Sequence, residues 1–451
     1  MALTTSRTVP VRKFGVVTLA ALVGGCGESS TPTTGGHEIL AEGRYDDSRL
    51  GTALVLVRSD EPAGATLFAS AAPLHMPFEP AAFVPRALRR EGADGYLLRF
   101  GGARFSNAAE LPSTTLPENG LRGLSMVALG DLDGDAHPDL AVGVPRLVFV
   151  PTVDGKESSG VVQVLSGRDG RVLFELSSTR PSTSFGWSLA AESTPTKERL
   201  AVGSSNTRGG ARMHVFELRT RALELSIDST NTEGGFGSAL AFAGDWNGDG
   251  HGDLVIGDRH AQVDQLRDVG TVQVFDGTTG AELASYRGTG AFSYYGRSVA
   301  SAPDVDGDRR RELLIGSAGS DLPQSHCGRV EMIASASGDV LWSVTGQASD
   351  ELGVWVRCIA DLDDDGRDDF AICSNRDKAR RVNTGSCWIY STRTGALLDK
   401  VPGETCTTLR LDDGTFLLVT GASRESPQPP NSHGRIRSSS YPPGSPRTRA
   451  K

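Results

Sequence analysis

The sequence predicts an all-β fold, a β-propeller of seven blades with four antiparallel strands each, and three observations lead to it. Glycine makes up 55 of the 451 residues with no collagen-like period, which is the composition of many turns between short strands. A unit of about 57 residues recurs along the chain. Inside each unit apolar and polar residues alternate between glycine turns, the period-two mark of antiparallel strands, and four strands per unit make one propeller blade.

The clearest mark of the unit is an aspartate-rich loop. Four are present, opening at Asp131, Asp245, Asp304 and Asp361. The last three start 59 and 57 residues apart, and the first two 114 apart, so a unit with a decayed loop is expected between them. Phe185-Gly186 opens that unit and Leu200-Ala-Val-Gly203 closes it, without the aspartates. Each acidic loop is followed by an apolar strand: Leu140 to Gly143, Leu254 to Gly257, Leu313 to Gly316 and Phe370 to Ser374. A residue pair ending in glycine precedes the later loops, as Phe236-Gly237, Tyr295-Gly296 and Leu352-Gly353. A second strand follows in each unit, beginning near Val161, Ala211, Thr271, Arg329 and Ser386. Degenerate units at both ends, around Leu50 to Ala69 and Cys406 to Gly421, bring the count to seven, with starts near 50, 123, 185, 236, 295, 352 and 406. The closing strands are expected in 422–440, where Gly434 to Arg437 is the candidate.

The order Phe-Gly, acidic loop, Leu-x-x-Gly strand resembles the FG-GAP repeat of integrin α-subunit propellers and the related VCBS repeats of bacterial surface proteins. The resemblance covers roughly residues 45–440. It implies that the acidic loops share one face and that ligands engage the other.

The loops also speak for themselves. Calcium takes roughly six to eight oxygen ligands. Side-chain oxygens at loop positions 1, 3, 5 and 9 and a main-chain carbonyl at 7 wrap one ion. The first set is Asp131, Asp133, Asp135, the carbonyl of His137, and Asp139. The second is Asp245, Asn247, Asp249, the carbonyl of His251, and Asp253. The third is Asp304, Asp306, Asp308, the carbonyl of Arg310, and Glu312, with Arg309 where glycine is usual. The fourth is Asp361, Asp363, Asp365, the carbonyl of Arg367, and Asp369. An EF-hand needs an acid at position 12, which here is Val142, Ile256, Ile315 and Ile372, each in a strand. Asp and Gly also favour plain turns, but four loops in one phase point to Ca2+.

The N-terminus reads as an address. Arg7, Arg12 and Lys13 precede the apolar run Phe14 to Val23, which is too short for a bilayer span and has signal-peptide length. Val23-Gly-Gly-Cys26 resembles a bacterial lipobox. That resemblance implies a signal peptide over 1–25, lipidation at Cys26 and, with Gly27 after it, an outer-membrane placement. The polar residues that follow read as a tether over 26–44, the repeats place a propeller over 45–440, and the Pro/Ser/Arg-rich end reads as a disordered tail over 441–451. Cys327, Cys358, Cys373, Cys387 and Cys406 remain, an odd number whose pairing the sequence leaves open.

The net charge of −9 argues against a nucleic-acid partner. No HExxH, GxSxG or P-loop is present, so no catalytic residue is assigned. The expectation is a monomeric, calcium-binding envelope module for a protein or glycan. The alternatives are a polysaccharide-acting lyase or hydrolase and a purely structural envelope protein. Three insertions after Leu-x-x-Gly strands, at 145–159, 258–269 and 317–327, are the candidate binding loops.

Overall fold

A computed structural model describes residues 38–42, 48–58, 65–73, 96–101, 107–110, 125–145, 160–178, 184–204, 211–230, 235–321, 324–376, 385–410, 416–422 and 435–441. The expected signal peptide, Cys26, loop 145–159 and most of the tail lie outside these residues. The first strand, β1 (Glu38–Glu42), is followed by six four-stranded meanders and three further strands. Blade 1 holds β2 (Ser48–Arg58), β3 (Ala65–Pro73), β4 (Tyr96–Gly101) and β5 (Asn107–Glu110). Blade 2 holds β6 (Met126–Ala128), β7 (Leu140–Val144), β8 (Val161–Leu165) and β9 (Val172–Ser177). Blade 3 holds β10 (Phe185–Ser193), β11 (Glu198–Ser204), β12 (Arg212–Glu217) and β13 (Ala222–Asp228). Blade 4 holds β14 (Phe236–Gly244), β15 (Asp253–Asp258), β16 (Thr271–Phe275) and β17 (Glu282–Arg287). Blade 5 holds β18 (Tyr295–Ala302), β19 (Glu312–Ser317), β20 (Arg329–Ile333) and β21 (Val340–Thr345). Blade 6 holds β22 (Trp355–Ile359), β23 (Asp369–Cys373), β24 (Ser386–Tyr390) and β25 (Leu397–Pro402). The last three strands are β26 (Thr405–Arg410), β27 (Phe416–Ala422) and β28 (Arg435–Tyr441).

The first strand of each blade touches the first strand of the next, and β26 returns to β2, so the seven sheets ring a common axis as a β-propeller. The last blade is completed from the other end of the chain. β1 pairs antiparallel with β28, Glu38 opposite Ser438 and Glu42 opposite Arg435. Residues 38–42 thus form an edge strand, where the sequence reading had a tether, and β28 runs one residue past the expected end of the propeller. A three-stranded last blade leaves β28 with an open edge, and β1 fills it.

The second strand of each blade explains the apolar Leu-x-x-Gly runs. β7, β11, β15, β19 and β23 are buried at every residue, because each lies between neighbouring blades. The fourth strands β17 and β21 alternate exposed and half-buried residues at the rim. Glycine locks four of the seams. Gly186, Gly237, Gly296 and Gly353 have φ of 87°, 75°, 77° and 92°, which side chains resist. The carbonyl oxygen of each lies against a glycine of the preceding blade: Gly143, Gly203, Gly257 and Gly316, where an added Cβ would collide with it. The Phe-Gly and Leu-x-x-Gly marks of the sequence are the two halves of one contact.

Candidate metal centre

In consecutive antiparallel strands the turns alternate ends. The first and third turns of every blade therefore share one face of the propeller, and the second turns and inter-blade connections share the other. The four acidic loops are first turns, so all lie on one face.

The position 1 carboxylate winds each loop. Asp131 Oδ1 accepts the N–H groups of Gly134 (2.6 Å) and Asp135 (3.2 Å), and Oδ2 accepts that of Ala136 (2.8 Å). Asp245 accepts from Gly248, Asp249 and Gly250, Asp304 from Gly307 and Arg309, and Asp361 from Asp365 and Gly366. To aim these N–H groups inward, positions 4 and 6 are left-handed in all four loops. Position 4 is Gly134, Gly248, Gly307 and Asp364, and position 6 is Ala136, Gly250, Arg309 and Gly366. Burial raises the Asp131 carboxyl, but the N–H bonds outweigh it and hold the group below its ordinary range.

The position 9 acid joins the loop to the third turn of its own blade. Asp139, Asp253, Glu312 and Asp369 are all fully buried. One oxygen accepts the N–H of position 2: Leu132, Trp246, Val305 and Leu362. The other accepts an N–H of the third turn: Gly167, Gly277, Ser335 and Thr392. Burial pushes Asp139 up to about 6 and Asp369 up to about 7 against these bonds, with the neighbouring loop aspartates adding to the rise. Asp253 and Glu312 are raised for the same first reason.

Three loops bring carboxylates together. Ligand oxygens of Asp131, Asp133 and Asp139 lie within 4.8 Å of one another, as do those of Asp304, Asp306 and Asp308, and of Asp361, Asp363 and Asp365. Asp365 Oδ2 is buried with no hydrogen-bond partner. A buried, unpartnered carboxylate oxygen inside an all-oxygen donor set suits a hard cation, and these residues are able to hold a metal. At position 7 the N–H groups of His137, His251, Arg310 and Arg367 donate to the position 5 carboxylates of Asp135, Asp249, Asp308 and Asp365 (2.7–2.9 Å).

The second loop differs. Asn247 replaces a position 3 acid, and its Nδ2 donates to Asp276 Oδ2 (2.8 Å), a carboxylate of the third turn. Sequence reasoning assigned Asp276 no role. The equivalent residue in the turn of blade 2 is Ser166, whose hydroxyl donates to Asp135 (3.5 Å); at the third loop the hydroxyl of Ser335, one residue further on, donates to Asp308 (3.0 Å). Asp276-Gly-Thr-Thr-Gly280 kept phase with the loops, and that phase was the available signal.

The FG-GAP repeat family model matches residues 126–165, which span β6, the first acidic loop, β7 and β8. The chain is 28% identical to integrin alpha-5 of Xenopus laevis over 47% of its own length and 21% of that protein's. It is 26% identical to integrin alpha-PS2 of Drosophila melanogaster over 54% of its length and 18% of the relative's, and 26% identical to integrin alpha-8 of Mus musculus over 43% and 19%. This is an integrin-α-like FG-GAP repeat protein. The chain spans about a fifth of the length of these integrin relatives.

One blade of this FG-GAP protein lacks the loop. In blade 3 the first turn is 194–197, and Arg199 stands where Asp253 stands in blade 4. Its guanidinium, 8% exposed, pairs with Glu192 (3.1 Å) and Glu224 (3.1 Å). It also donates to the carbonyl oxygens of Gly252 (3.1 Å) and Gly277 (2.5 Å) in the loop and third turn of blade 4.

The opposite face is built differently. In blade 4 the insertion around 258–269 is tied to the connection that follows it, Phe292 and Tyr294 donating their N–H groups to the carbonyls of Arg267 and Asp268. His260 Nδ1 lies 2.6 Å from Asp268 Oδ1, and its ring meets Tyr294 edge-on. In blade 5 Ser349 and Glu351 bind the carbonyls of Ser325 and His326 in the same way. Left-handed residues gather here: Asp264, Gln265, Asp268, Phe292, Tyr294, His326, Ser349 and Glu351. Leu266 and Phe292 are 46% and 48% exposed. The Ser325–His326–Asp321 trio on this face is no nucleophile–base relay, since both partners approach the same ring nitrogen, Nδ1 (2.9 and 3.6 Å). Among the described residues no helix is long and apolar enough to cross a membrane.

Proposed function

We propose that this protein is a calcium-dependent binding module of the cell envelope, anchored by a lipid at Cys26, that holds four ions on one face and a protein or glycan on the other. The carrying observation is the division of labour between the faces. One face repeats a single carboxylate geometry four times, which stiffens blades. The other carries non-repeating loops with eight left-handed residues other than glycine and with exposed Leu266 and Phe292. Strained backbone persists where surrounding structure holds it, and such residues gather at ligand sites. An exposed phenylalanine and leucine on a rigid, polar-rimmed loop suit the apolar face of a sugar or a protein side chain. The test is a glycan array with an envelope-protein pull-down, using the whole chain in calcium and the Phe292→Ser and Leu266→Ser variants. Loss of a bound partner in the variants, with the melting midpoint unchanged, supports the reading. Binding that survives both, or turnover of a polysaccharide, contradicts it.

A further inference from the structure

The seam between blade 6 and the last blade is built unlike the four seams that glycine pairs close. Where Gly143, Gly203, Gly257 and Gly316 receive the carbonyl of the next blade, β23 carries Cys373, and β26 offers no Phe-Gly pair. Sulfur takes the place of the glycine lock. Cys373 and Cys387 stand opposite each other on β23 and β24 and form a disulfide. Cys406 of β26 belongs to the same seam core as Cys373 and Cys387, packed with Ile389, Phe416 and Leu418. All three cysteines are fully or almost fully buried, and their sulfur atoms lie within 4.8 Å of one another. The existing bond joins two strands of one sheet that hydrogen bonds already join. It adds nothing across the seam.

We propose that Cys406, Cys373 and Cys387 form a thiol–disulfide exchange site that moves the disulfide from within blade 6 to across the seam between blade 6 and the last blade. The Cys406 thiolate attacks the sulfur of Cys373 or Cys387, an S–Cys406 bond forms, and the Cys373–Cys387 bond breaks. The displaced cysteine leaves as thiolate and takes the proton that Cys406 gave up. One disulfide and one thiol stand on each side, so no oxidant or reductant is consumed. The product ties blade 6 to β26, a strand of the blade that β1–β28 pairing closes. Burial pushes the Cys406 thiol up to about 12, so the attacking thiolate is scarce while the seam is shut. Exchange therefore waits on opening of the seam.

The experiment is peptide mapping of the full chain without reductant, after alkylation of free thiols, before and after incubation in sub-denaturing urea. The starting protein yields the Cys373–Cys387 pair. After incubation, peptides joining Cys406 to Cys373 or Cys387 appear, and Cys406→Ser abolishes them. A second arm needs no incubation. Cys387→Ser is expected to form Cys373–Cys406 on expression under oxidising conditions, and Cys373→Ser to form Cys387–Cys406. If Cys406 becomes alkylated in urea with no cross-seam peptide, or if both single variants carry only free thiols while folded, the proposal is overturned.

Discussion

In blade 4, the strand after the first turn begins with Asp253, buried beneath an acidic loop and accepting the N–H groups of Trp246 and Asn247 in that loop and of Gly277 in its own third turn. In blade 3 the same place carries Arg199, buried against Glu192 and Glu224 and reaching the carbonyls of Gly252 and Gly277 next door. Both strands need a charge at this depth to gather the polar ends of turns. The acid gathers N–H donors and leaves a concentration of negative charge, which calls for a cation from solution. The arginine gathers carbonyl oxygens and two carboxylates and brings its cation covalently. The decayed loop is thus a blade whose stability should not depend on metal.

The largest test of that contrast is Arg199→Met. It leaves Glu192 without its cation and Glu224 with Lys197 alone, and it strips the carbonyls of Gly252 and Gly277 of a donor. Breaking a fully buried pair costs about 3–5 kcal/mol, and the part-exposed glutamates put this loss at the low end of that range. Urea unfolding should show that loss equally in calcium and in EDTA. A loss confined to EDTA would mean that blade 3 shares the metal dependence of the others.

A smaller effect is expected from pH. Without metal, Asp139 and Asp369 have folded values of about 6 and about 7, above the ordinary 3.8. A raised value means the folded state holds the proton more tightly, so the contribution to stability is fully present below pH ~4 and lost as pH rises through about 6 to 7. In EDTA the melting midpoint should therefore fall between pH ~4 and ~7. Calcium should flatten that slope, because the ion favours the ionised carboxylates. A midpoint that rises over this window in EDTA would contradict the burial argument.

The smallest concerns Arg309, which holds φ of 71° where Gly250 and Gly366 stand in sister loops. Arg309→Gly should stabilise the fold by about 0.5 kcal/mol, as the strain of a side chain at positive φ slightly exceeds the entropy that glycine adds to the unfolded chain. A destabilisation in chemical unfolding would show that the Arg309 side chain makes a contribution of its own.

Much of this was legible in the sequence because the repeat is strict where physics is strict. Left-handed turns favoured Gly134, Gly248 and Gly307 at position 4 and Gly250 and Gly366 at position 6, and seam contacts demanded Gly143, Gly203, Gly257 and Gly316, so glycine marked the period. Contacts between units were not legible. β1 pairs with β28 across nearly the whole chain, and nothing local in Glu38 to Glu42 announces a partner. Asp276 was missed because it reaches the loop through folding of its hairpin, and Arg199 because a basic residue looked like mere decay. The Cys373–Cys387 pair needed the register of β23 on β24.

The central claim is that the four acidic loops hold divalent cations and blade 3 holds none. Calcium titration calorimetry of the intact chain tests it most directly. The account predicts four ions per chain, three after Asp365→Ala, and four still in Arg199→Met if it remains folded. No saturable binding, or binding that Asp365→Ala leaves untouched, would contradict it.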